Sequence, residues 1–338
     1  MSHHASTVSV IVPCRNEKDY IDACMRSVLS QDIPPGQIEF MVLDGMSDDG
    51  TREILQRLIG EDFRLKVIDN LRQITPCARN IGIREARGKY IAILDAHATY
   101  SSDYVGNCIK LLEEHSEICC AGGPIISVGK SIFGRATAGA MSHPFGVGNA
   151  KHRFPDYEGY AEGACFPVYR REIFEKVGLF DENLVRNQDD DFNYRVALSG
   201  EKVFISPRAK CTYYVRETPS KLFWQYLQYG FYRYVVLRKH GSHISLRHFA
   251  PIIFFSLVCL LLLSGAWLSG WWNLITVSLP MAYALTLLTA GIRLRRKLGR
   301  FVVLVFPFAA AIMHFAYAVG FAWAFLRVAF APRWPMDS

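Results

Sequence analysis

The feature that most constrains this 338-residue chain is a run of 22 uncharged residues from Phe249 to Gly270. A helix of roughly 20 apolar residues crosses a hydrocarbon core about 30 Å thick. A second uncharged run, Trp271 to Gly291, follows it, and a third extends from Phe301 to about Phe325, with Arg327 near its end. The sequence therefore predicts about three transmembrane helices between residues 249 and 331, and hence a multi-pass membrane protein.

The distribution of charge gives this tail an orientation. The basic loop "IRLRRKLGR" separates the second run from the third, and short loops rich in Lys and Arg stay on the cytoplasmic side. From Arg216 onward the chain has 13 Lys and Arg against two Asp and Glu, a net charge of +11. The total is +7, so the first 215 residues carry −4. We expect a slightly acidic cytoplasmic head without a nucleic-acid partner.

The N-terminus and the cysteines agree with a cytoplasmic head. The start, "MSHHASTVSVIVPC", has no basic region followed by an apolar core, so we expect no cleavable signal peptide. The nine cysteines form no CxxC pair, which argues against a disulfide framework or a zinc site and favours buried thiols in a reducing compartment.

Within the head, short β-branched runs alternate with helical patterns. Strands are predicted at 8–13, 38–44, 65–69 and 89–95, with helices near 20–30, 51–59 and 77–86. This order predicts the α/β class, with a mostly parallel sheet covered by helices on both faces.

Candidate binding residues, most of them polar, lie at the ends of three of these strands. They are Pro13, Arg15 and Glu17 at the end of the first, Asp44, Ser47 and Asp49 at the end of the second, and Asp95 and His97 at the end of the fourth. Ligands of such sheets bind beyond the carboxyl ends of the strands. Clustered carboxylates repel one another unless a cation or a hydrogen-bonding ligand lies among them. The sequence therefore predicts a binding site at this edge, although Asp44 or Ser47 alone is also compatible with capping of the next helix.

Several linked segments resemble a known family. They are "VSVIVPCRNE", "VLDGMSDDGT", "CARNIGIREARGKYIAILDAHA", "RREIFEKVGLFDE" and "NQDDDFNYRVALSG". In this order they are similar to the family 2 inverting glycosyltransferases, which have the Rossmann-like GT-A fold, and the resemblance covers residues 7–235. "GVGNAKHRFP", "DAHA" and the membrane tail further resemble the membrane-anchored glucosyltransferases of succinoglycan-type exopolysaccharide biosynthesis.

The resemblance implies a nucleotide-sugar donor and the residues that bind it. The family's base and ribose contacts correspond to Pro13, Arg15, Glu17 and Asp44, with Ser47 on the same loop. Relatives often have two acidic residues where this chain has Asp44-Gly45. Two further residues, Arg79 and Asn80, fall where the family contacts the diphosphate, and a guanidinium suits phosphate because it donates two parallel hydrogen bonds.

"DAHA" occupies the family's Asp-x-Asp position, whose acidic residues bind a divalent cation. Asp95 and His97 alternate, so on an extended segment they would point the same way and reach one ion. An imidazole ligand favours Mn²⁺, with Mg²⁺ possible. Alternatively, His97 is a loop histidine bonded to backbone.

The acceptor hydroxyl needs a general base, which the family supplies from an acidic pair. Here the pair reads Gln188-Asp189, so the resemblance assigns the base to Asp189 and leaves Gln188 and Asp190 as substrate contacts. Asp190 and Asp191 are rival bases, and three carboxylates at a helix start also suit capping and the helix dipole.

A segment rich in aromatic residues precedes the apolar runs. "FWQYLQYGFYRY" falls where processive relatives have Gln-x-x-Arg-Trp; this chain has Gln225 without Arg-Trp, which favours transfer of one sugar. Its aromatic and basic residues predict a helix in the membrane interface. We therefore expect a GT-A catalytic domain at 1–215, an interfacial segment at 216–248 and transmembrane helices at 249–331.

The prediction is an inverting, metal-dependent glycosyltransferase of the inner membrane. It would transfer one sugar, from UDP-glucose or a relative, to a polyprenyl diphosphate-linked sugar in bacterial polysaccharide assembly, with other assembly proteins as partners. Two alternatives stay open: a polyprenyl-monophosphate sugar synthase, and a nucleotide-sugar-binding scaffold without catalysis. The presence of Asp95 and Asp189 argues against the scaffold.

Overall fold

The computed structural model describes residues 7–241, 248–265 and 271–330, which form two compact units. Unit 1 consists of the described residues up to Ile126 together with Lys151–Tyr214. Unit 2 consists of Ser127–Ala150 and the described residues from Val215 onward.

Unit 1 alternates strands and helices. Its strands are β1 (Val8–Cys14), β2 (Ile38–Asp44), β3 (Leu65–Asp69), β4 (Tyr90–Ile93), β5 (Ala98–Tyr100), β6 (Ile118–Gly122), β7 (Ile125–Val128, which continues into unit 2), β8 (Gly159–Ala161), β9 (Val168–Arg170), β10 (Lys202–Ile205) and β11 (Cys211–Tyr214). Its helices are α1 (Ile21–Leu29), α2 (Thr51–Glu61), α3 (Thr75–Glu85), α4 (Tyr104–Glu114), α7 (Glu172–Val177) and α8 (Gln188–Leu198).

Eight strands form one mixed sheet of order β3-β2-β1-β4-β9-β6-β10-β8. β1 pairs in parallel with β2 and β4, β2 with β3, and β6 with β10, whereas β9 is antiparallel to β4 and β6, and β8 to β10. Six of the eight strands therefore run in one direction, which confirms the predicted mostly parallel sheet. β5, β11 and β7 form a separate three-stranded sheet in that order, in which β5 and β11 are antiparallel.

Alternation along the strands divides the core between the two faces of the sheet. Ile11 of β1 belongs to a buried cluster with Met41, Ile91 and Phe192, on the face where α3 packs. Gly82 of α3 allows this close approach, because a Cβ there would lie 2.6 Å from Ile11 Cγ2. Burying this apolar surface is the main stabilising term, at roughly 25 cal/mol per Å².

Unit 2 is helical. Its helices are α5 (Ile132–Met141), α6 (Pro144–Val147), α9 (Pro219–His240), α10 (Ala250–Gly265), α11 (Trp272–Leu298) and α12 (Val302–Phe330). Glu217 holds the start of α5, where its carboxylate accepts from the backbone N–H groups of Lys130 and Ser131 at 2.7 and 2.9 Å.

α9 and α12 cross at two glycines. A Cβ on Gly230 would lie 2.0 Å from the Tyr317 carbonyl oxygen, and one on Gly320 would lie 2.0 Å from the Leu227 carbonyl oxygen. The backbones of these helices are therefore in contact, as small residues allow where helices pack in a membrane.

Two segments are long and apolar enough to cross a membrane: Leu274–Arg296 and Val302–Phe330. The first predicted run is described only as α10, whose 16 residues span about 24 Å at 1.5 Å per residue. That length is shorter than the hydrocarbon core. Residues 266–270 of the run lie outside the described residues.

Candidate active site

The candidate site lies at the carboxyl ends of the parallel strands. Cys14, Asp44 and Asp69 are neighbours in register at the ends of β1, β2 and β3. The chain turns sharply after two of these strands, because Asn16 and Met46 adopt left-handed backbone conformations with φ of 55° and 58°. The loops after β1 and β2 meet at one edge, where Asn16 donates from its backbone N–H to Ser47 Oγ and from Nδ2 to Asp48 Oδ1, both at 2.9 Å.

Asp44 organises the loop after β2. Its carboxylate is fully buried and accepts from Ser47 Oγ at 2.6 Å, Ser47 N at 3.1 Å and Arg52 Nη1 at 2.8 Å. Arg52 also donates to Asp69 at 2.8 Å and so ties β2 to β3. A direct contact between Asp44 and a nucleotide would require some of these bonds to break. Asp49 instead holds the start of α2 through Thr51.

Arg15 explains why glycine follows Asp44. A Cβ at Gly45 would lie 3.1 to 3.3 Å from three carbons of the Arg15 side chain, so a second acidic residue would crowd this arginine. Arg15 is exposed at the site edge, and Pro13 is half-buried in β1. The departure from the family's usual acidic pair thus has a packing reason.

The "DAHA" segment is a turn between β4 and β5. Asp95 Oδ1 accepts from the backbone N–H of His97 at 2.8 Å, and the Tyr100 hydroxyl donates to the carbonyl of Asp95 at 3.1 Å. The prediction of an extended segment through residues 95–97 is wrong, because these local bonds turn the chain. Asp95 is exposed, whereas His97 is only 6% exposed.

Glu17, predicted to contact the nucleotide, pairs with His97. Its Oε2 lies 2.8 Å from His97 Nδ1, and the imidazole packs on Tyr20 with ring centroids 3.7 Å apart. His97 is thus bonded to a side chain, whereas a plain loop histidine would bond to backbone.

The donor set can be compared with what a divalent cation needs. Across residues 7–241, 248–265 and 271–330, no group of three or more His, Cys, Asp or Glu side chains is arranged to hold a metal. Asp95 offers an exposed carboxylate, and His97 offers an imidazole whose Nδ1 is already bonded to a carboxylate. These two side chains do fit a cation that takes its remaining ligands from a diphosphate.

Arg79 and Asn80 of α3 have different environments. Arg79 stacks on Phe180, with Cζ 5.0 Å from the ring centroid, and its Nε has no hydrogen-bond partner within the described chain. Asn80 is buried; its Nδ2 donates to the Phe180 carbonyl and to Glu182, and its Oδ1 accepts from Phe180 N. Contact between Asn80 and a diphosphate would therefore require this loop to move.

The three acids at the start of α8 are not equivalent. Asp191 has no exposed surface and accepts from Arg195 Nε and Nη2 at 3.1 and 3.0 Å. Asp189 is exposed and accepts the N–H of Asp190 at 3.0 Å, while Asp190 is half-buried. Of the three, Asp191 thus has a structural partner, and Asp189 faces solvent. Gln188 is buried, with no partner for its Oε1 among the described residues.

Cys165, which sequence reasoning did not single out, lies in the loop before β9 and is partly buried. Burial raises the pKa of its thiol to about 12, Arg153 lowers it, and Asp189, Asp190 and Asp95 raise it further. The short apolar pattern around Cys165 carries no catalytic signal.

Gln225 lies in α9 of unit 2 and donates to the Tyr229 hydroxyl at 3.1 Å within its own helix. This bond joins residues four apart, one turn along the helix.

The sheet, the polar strand ends and the acids of α8 define a class of protein. The sequence profile described as Glycosyl transferase family 2 matches residues 9–178, and the chain belongs to that family. It is a glycosyltransferase with a GT-A fold.

Particular relatives narrow the biological setting. The succinoglycan biosynthesis protein ExoA of Rhizobium meliloti (strain 1021) is 33% identical over 249 residues, 72% of this chain and 74% of ExoA. A second relative, from Methanococcus voltae, is a dolichyl N-acetyl-α-D-glucosaminyl phosphate 3-β-D-2,3-diacetamido-2,3-dideoxy-β-D-glucuronosyltransferase. It is 25% identical to this chain, and the match covers 93% of this chain and 95% of the relative. These relatives associate the family with polysaccharide and lipid-linked glycan synthesis.

A solved structure supports the fold. The mannosyltransferase PcManGT from Pyrobaculum calidifontis, in complex with GDP-Man and Mn²⁺, superposes with a TM-score of 0.64 at 18% identity, over 95% of this chain and 88% of that protein.

Proposed function

We propose that this glycosyltransferase moves one sugar, with inversion, from a nucleotide diphosphate sugar such as UDP-glucose to a lipid-linked acceptor of the polyprenyl diphosphate type. The observation that carries the proposal is the presence of two exposed carboxylates, Asp95 in the turn after β4 and Asp189 at the start of α8. One acid suits the donor diphosphate and its cation, and the other suits the acceptor hydroxyl.

Asp189 is the proposed general base. Inversion in a single displacement needs one base, within hydrogen-bond reach of the attacking hydroxyl and on the face opposite the leaving group. Asp189 is exposed, and the hydrogen bond it accepts uses only Oδ1. Its rival Asp191 is committed to Arg195. Gln188 and Asp190, on either side of the base, are proposed to orient the acceptor.

Arg79 is the proposed diphosphate ligand. Its guanidinium is held by stacking on Phe180 and has no carboxylate partner in the described part of the chain. A stacked guanidinium is pre-organised to donate two parallel hydrogen bonds to phosphate oxygens. Asn80 would position Arg79 by fixing the Phe180 loop.

The nucleoside is proposed to bind along the loops after β1 and β2. Pro13 and Arg15 border this edge, and the pair formed by Asp44 and Ser47 sets the shape of the second loop. The Arg52 side chain, which donates to Asp44, is 35% exposed, so it can move aside for the base or ribose more readily than the buried backbone can. Glu17 was expected to contact the nucleoside too, but its carboxylate pairs with His97.

A divalent cation would be held by Asp95 and His97, with Mn²⁺ favoured over Mg²⁺ because one ligand is an imidazole. When bound, such an ion supplies Lewis-acid stabilisation of the departing diphosphate. PcManGT was solved with Mn²⁺, which supports a metal-dependent reaction for this chain.

The acceptor is proposed to be a lipid-linked sugar presented at the cytoplasmic face of the inner membrane. The two candidate spans, Leu274–Arg296 and Val302–Phe330, would anchor the enzyme there in a multi-pass arrangement. The name of the Methanococcus voltae relative specifies dolichyl N-acetyl-α-D-glucosaminyl phosphate, a lipid-linked sugar, which supports this class of acceptor. Gln225 and the aromatic residues of α9 would border the lipid, and other polysaccharide-assembly proteins would receive the product.

Transfer into lipid tests the proposal. Membranes containing the protein are incubated with Mn²⁺ and radiolabelled nucleotide sugars, and label is counted in the lipid extract for wild type, Asp189→Asn, Asp190→Asn and the exposed control Glu53→Gln. We expect label with wild type and the control but little with Asp189→Asn. An extended lipid oligosaccharide supports the proposal, whereas a lipid monosaccharide identifies a polyprenyl-monophosphate sugar synthase. Binding without transfer from any donor would favour a scaffold.

A further inference from the structure

Glu17 forms an unusual long-range pair for a residue expected to touch nucleotide. Its Oε2 lies 2.8 Å from Nδ1 of His97, a residue 80 positions later. The Glu17 backbone is fixed as well, because its N–H donates to Thr51 Oγ1 at 2.9 Å and its carbonyl accepts from Tyr20 and Ile21. The carboxylate is therefore presented to His97 by a rigid loop.

His97 is fixed at its ring and its backbone. The imidazole packs on Tyr20 with ring centroids 3.7 Å apart and ring planes tilted by 40°. The backbone N–H of His97 donates to Asp95 Oδ1 at 2.8 Å, and its carbonyl accepts from Tyr214 N at 3.2 Å. Within the described residues Nε2 has no hydrogen-bond partner. These contacts use Nδ1, the ring face and the backbone of His97, so the ring nitrogen Nε2 is available.

The pairing determines which nitrogen that is. A carboxylate can only accept, so a neutral imidazole beside it carries its proton on Nδ1 and keeps a lone pair on Nε2. Histidines that ligate metals commonly donate their other N–H to a carboxylate in this way. We propose that Glu17 is a positioning residue that orients His97 and fixes its tautomer, so that Nε2 serves as a cation ligand. This inference rests on the cation site in the proposed function.

The expected nucleotide contact of Glu17 makes a different prediction. A carboxylate that bound ribose directly would act independently of residue 97. A carboxylate that acts through the imidazole loses its role when residue 97 is no longer histidine. Replacing His97 by Asp, the residue type typical of the family at this position, therefore separates the two roles.

Cation affinity is the readout. The full-length protein in detergent is titrated with Mn²⁺, alone and with UDP or GDP, and free Mn²⁺ is measured by electron paramagnetic resonance. We expect Glu17→Ala to weaken Mn²⁺ binding about 10- to 100-fold, the usual cost of losing such a partner. Glu17→Gln should weaken it less, because the amide oxygen still accepts from Nδ1. Asp19→Ala, an exposed acid of the same loop, is the matched control and should bind like wild type.

The His97→Asp background decides the mechanism. There we expect Glu17→Ala to change Mn²⁺ affinity much less than it does with His97 present, because no imidazole remains for Glu17 to orient. Equal weakening in both backgrounds would show that Glu17 contacts the cation or nucleotide itself and would overturn the inference. Unchanged affinity of Glu17→Ala with His97 present would overturn it too, while the proposed function would stand. Failure of wild type to bind Mn²⁺ under any condition would remove the cation site and the inference together.

Discussion

At the scale of single residues, two acids on one turn of α8 have different environments and therefore different roles. Asp189 and Asp191 are two apart on α8, yet Asp189 is exposed and Asp191 is completely buried against Arg195. Arg195 also donates to the Leu179 carbonyl at 2.7 Å, so this pair attaches α8 to the segment after α7.

Substitution of the two acids should have opposite effects. Asp191→Ala leaves the half-buried Arg195 without its carboxylate partner, and we expect about 1–3 kcal/mol of lost stability. Asp189→Asn should leave stability within about 0.5 kcal/mol, as at most surface sites, but reduce transfer roughly 10²- to 10⁴-fold. Thermal unfolding and lipid labelling measure the two effects. A large loss of stability in Asp189→Asn would show that its carboxylate has a structural role.

The pKa of Glu182 predicts a pH dependence. The hydrogen bond from Asn80 is the main cause that lowers this pKa below its ordinary value of 4.5. Since the folded-state pKa is depressed, the stabilisation is fully present above pH 4.5 and is lost as pH falls through the folded-state value. The stability advantage of wild type over Glu182→Gln should therefore shrink as pH falls below 4.5 in unfolding experiments. A constant difference at acidic pH would contradict the prediction.

At the scale of elements, periodicity predicted most of the first unit. The predicted strands at 8–13, 38–44 and 65–69 match β1, β2 and β3 to within one residue. The strand predicted at 89–95 ends at Ile93, because the Tyr100 hydroxyl and the His97 N–H bond to Asp95 and turn the chain. The insertion of β9 between β4 and β6 was not predictable, since such pairing depends on residues far apart in sequence.

The candidate site shows the same limit. The strand ends indicated where polar side chains collect, because this follows from local pattern and sheet geometry. The hydrogen-bond partners of these side chains could not be predicted, since the bonds between Glu17 and His97 and between Asn80 and Phe180 join residues 80 and 100 positions apart. Hydrogen-bond pairing is a property of the folded arrangement, so sequence spacing alone does not reveal it.

The crossing of α9 and α12 gives a prediction at this scale. Gly320→Leu puts a side chain where a Cβ alone would lie 2.0 Å from a backbone carbonyl, so the helices must separate. Overpacking typically costs about 1–3 kcal/mol, and we expect a lower unfolding temperature in detergent. Gly60→Ala is the control, since its Cβ meets nothing within 4 Å, and alanine in a helix should stabilise by roughly 0.5–1 kcal/mol. Wild-type stability of Gly320→Leu would contradict this packing.

At the scale of the whole molecule, charge asymmetry predicts orientation. The basic residues Arg293, Arg295, Arg296 and Arg300 at the end of α11 are exposed, and such loops remain cytoplasmic. We expect the protein to stay in membranes after alkaline carbonate extraction. We also expect protease to digest unit 1 in inverted vesicles but not in intact spheroplasts, with a known periplasmic domain as the control. Digestion in spheroplasts would place unit 1 on the other side.

The path of the chain between the units also has a consequence for biosynthesis. Residues 127–150 leave unit 1 and pack α5 against α12, yet α12 begins only at Val302. The buried face of α5, including Ala136, Thr137 and Ala140, is therefore made long before its covering helix leaves the ribosome. Apolar surface that stays exposed between the synthesis of α5 and that of α12 favours aggregation. For the same reason, a fragment that ends at Tyr214 would expose α5 permanently and should be prone to aggregate.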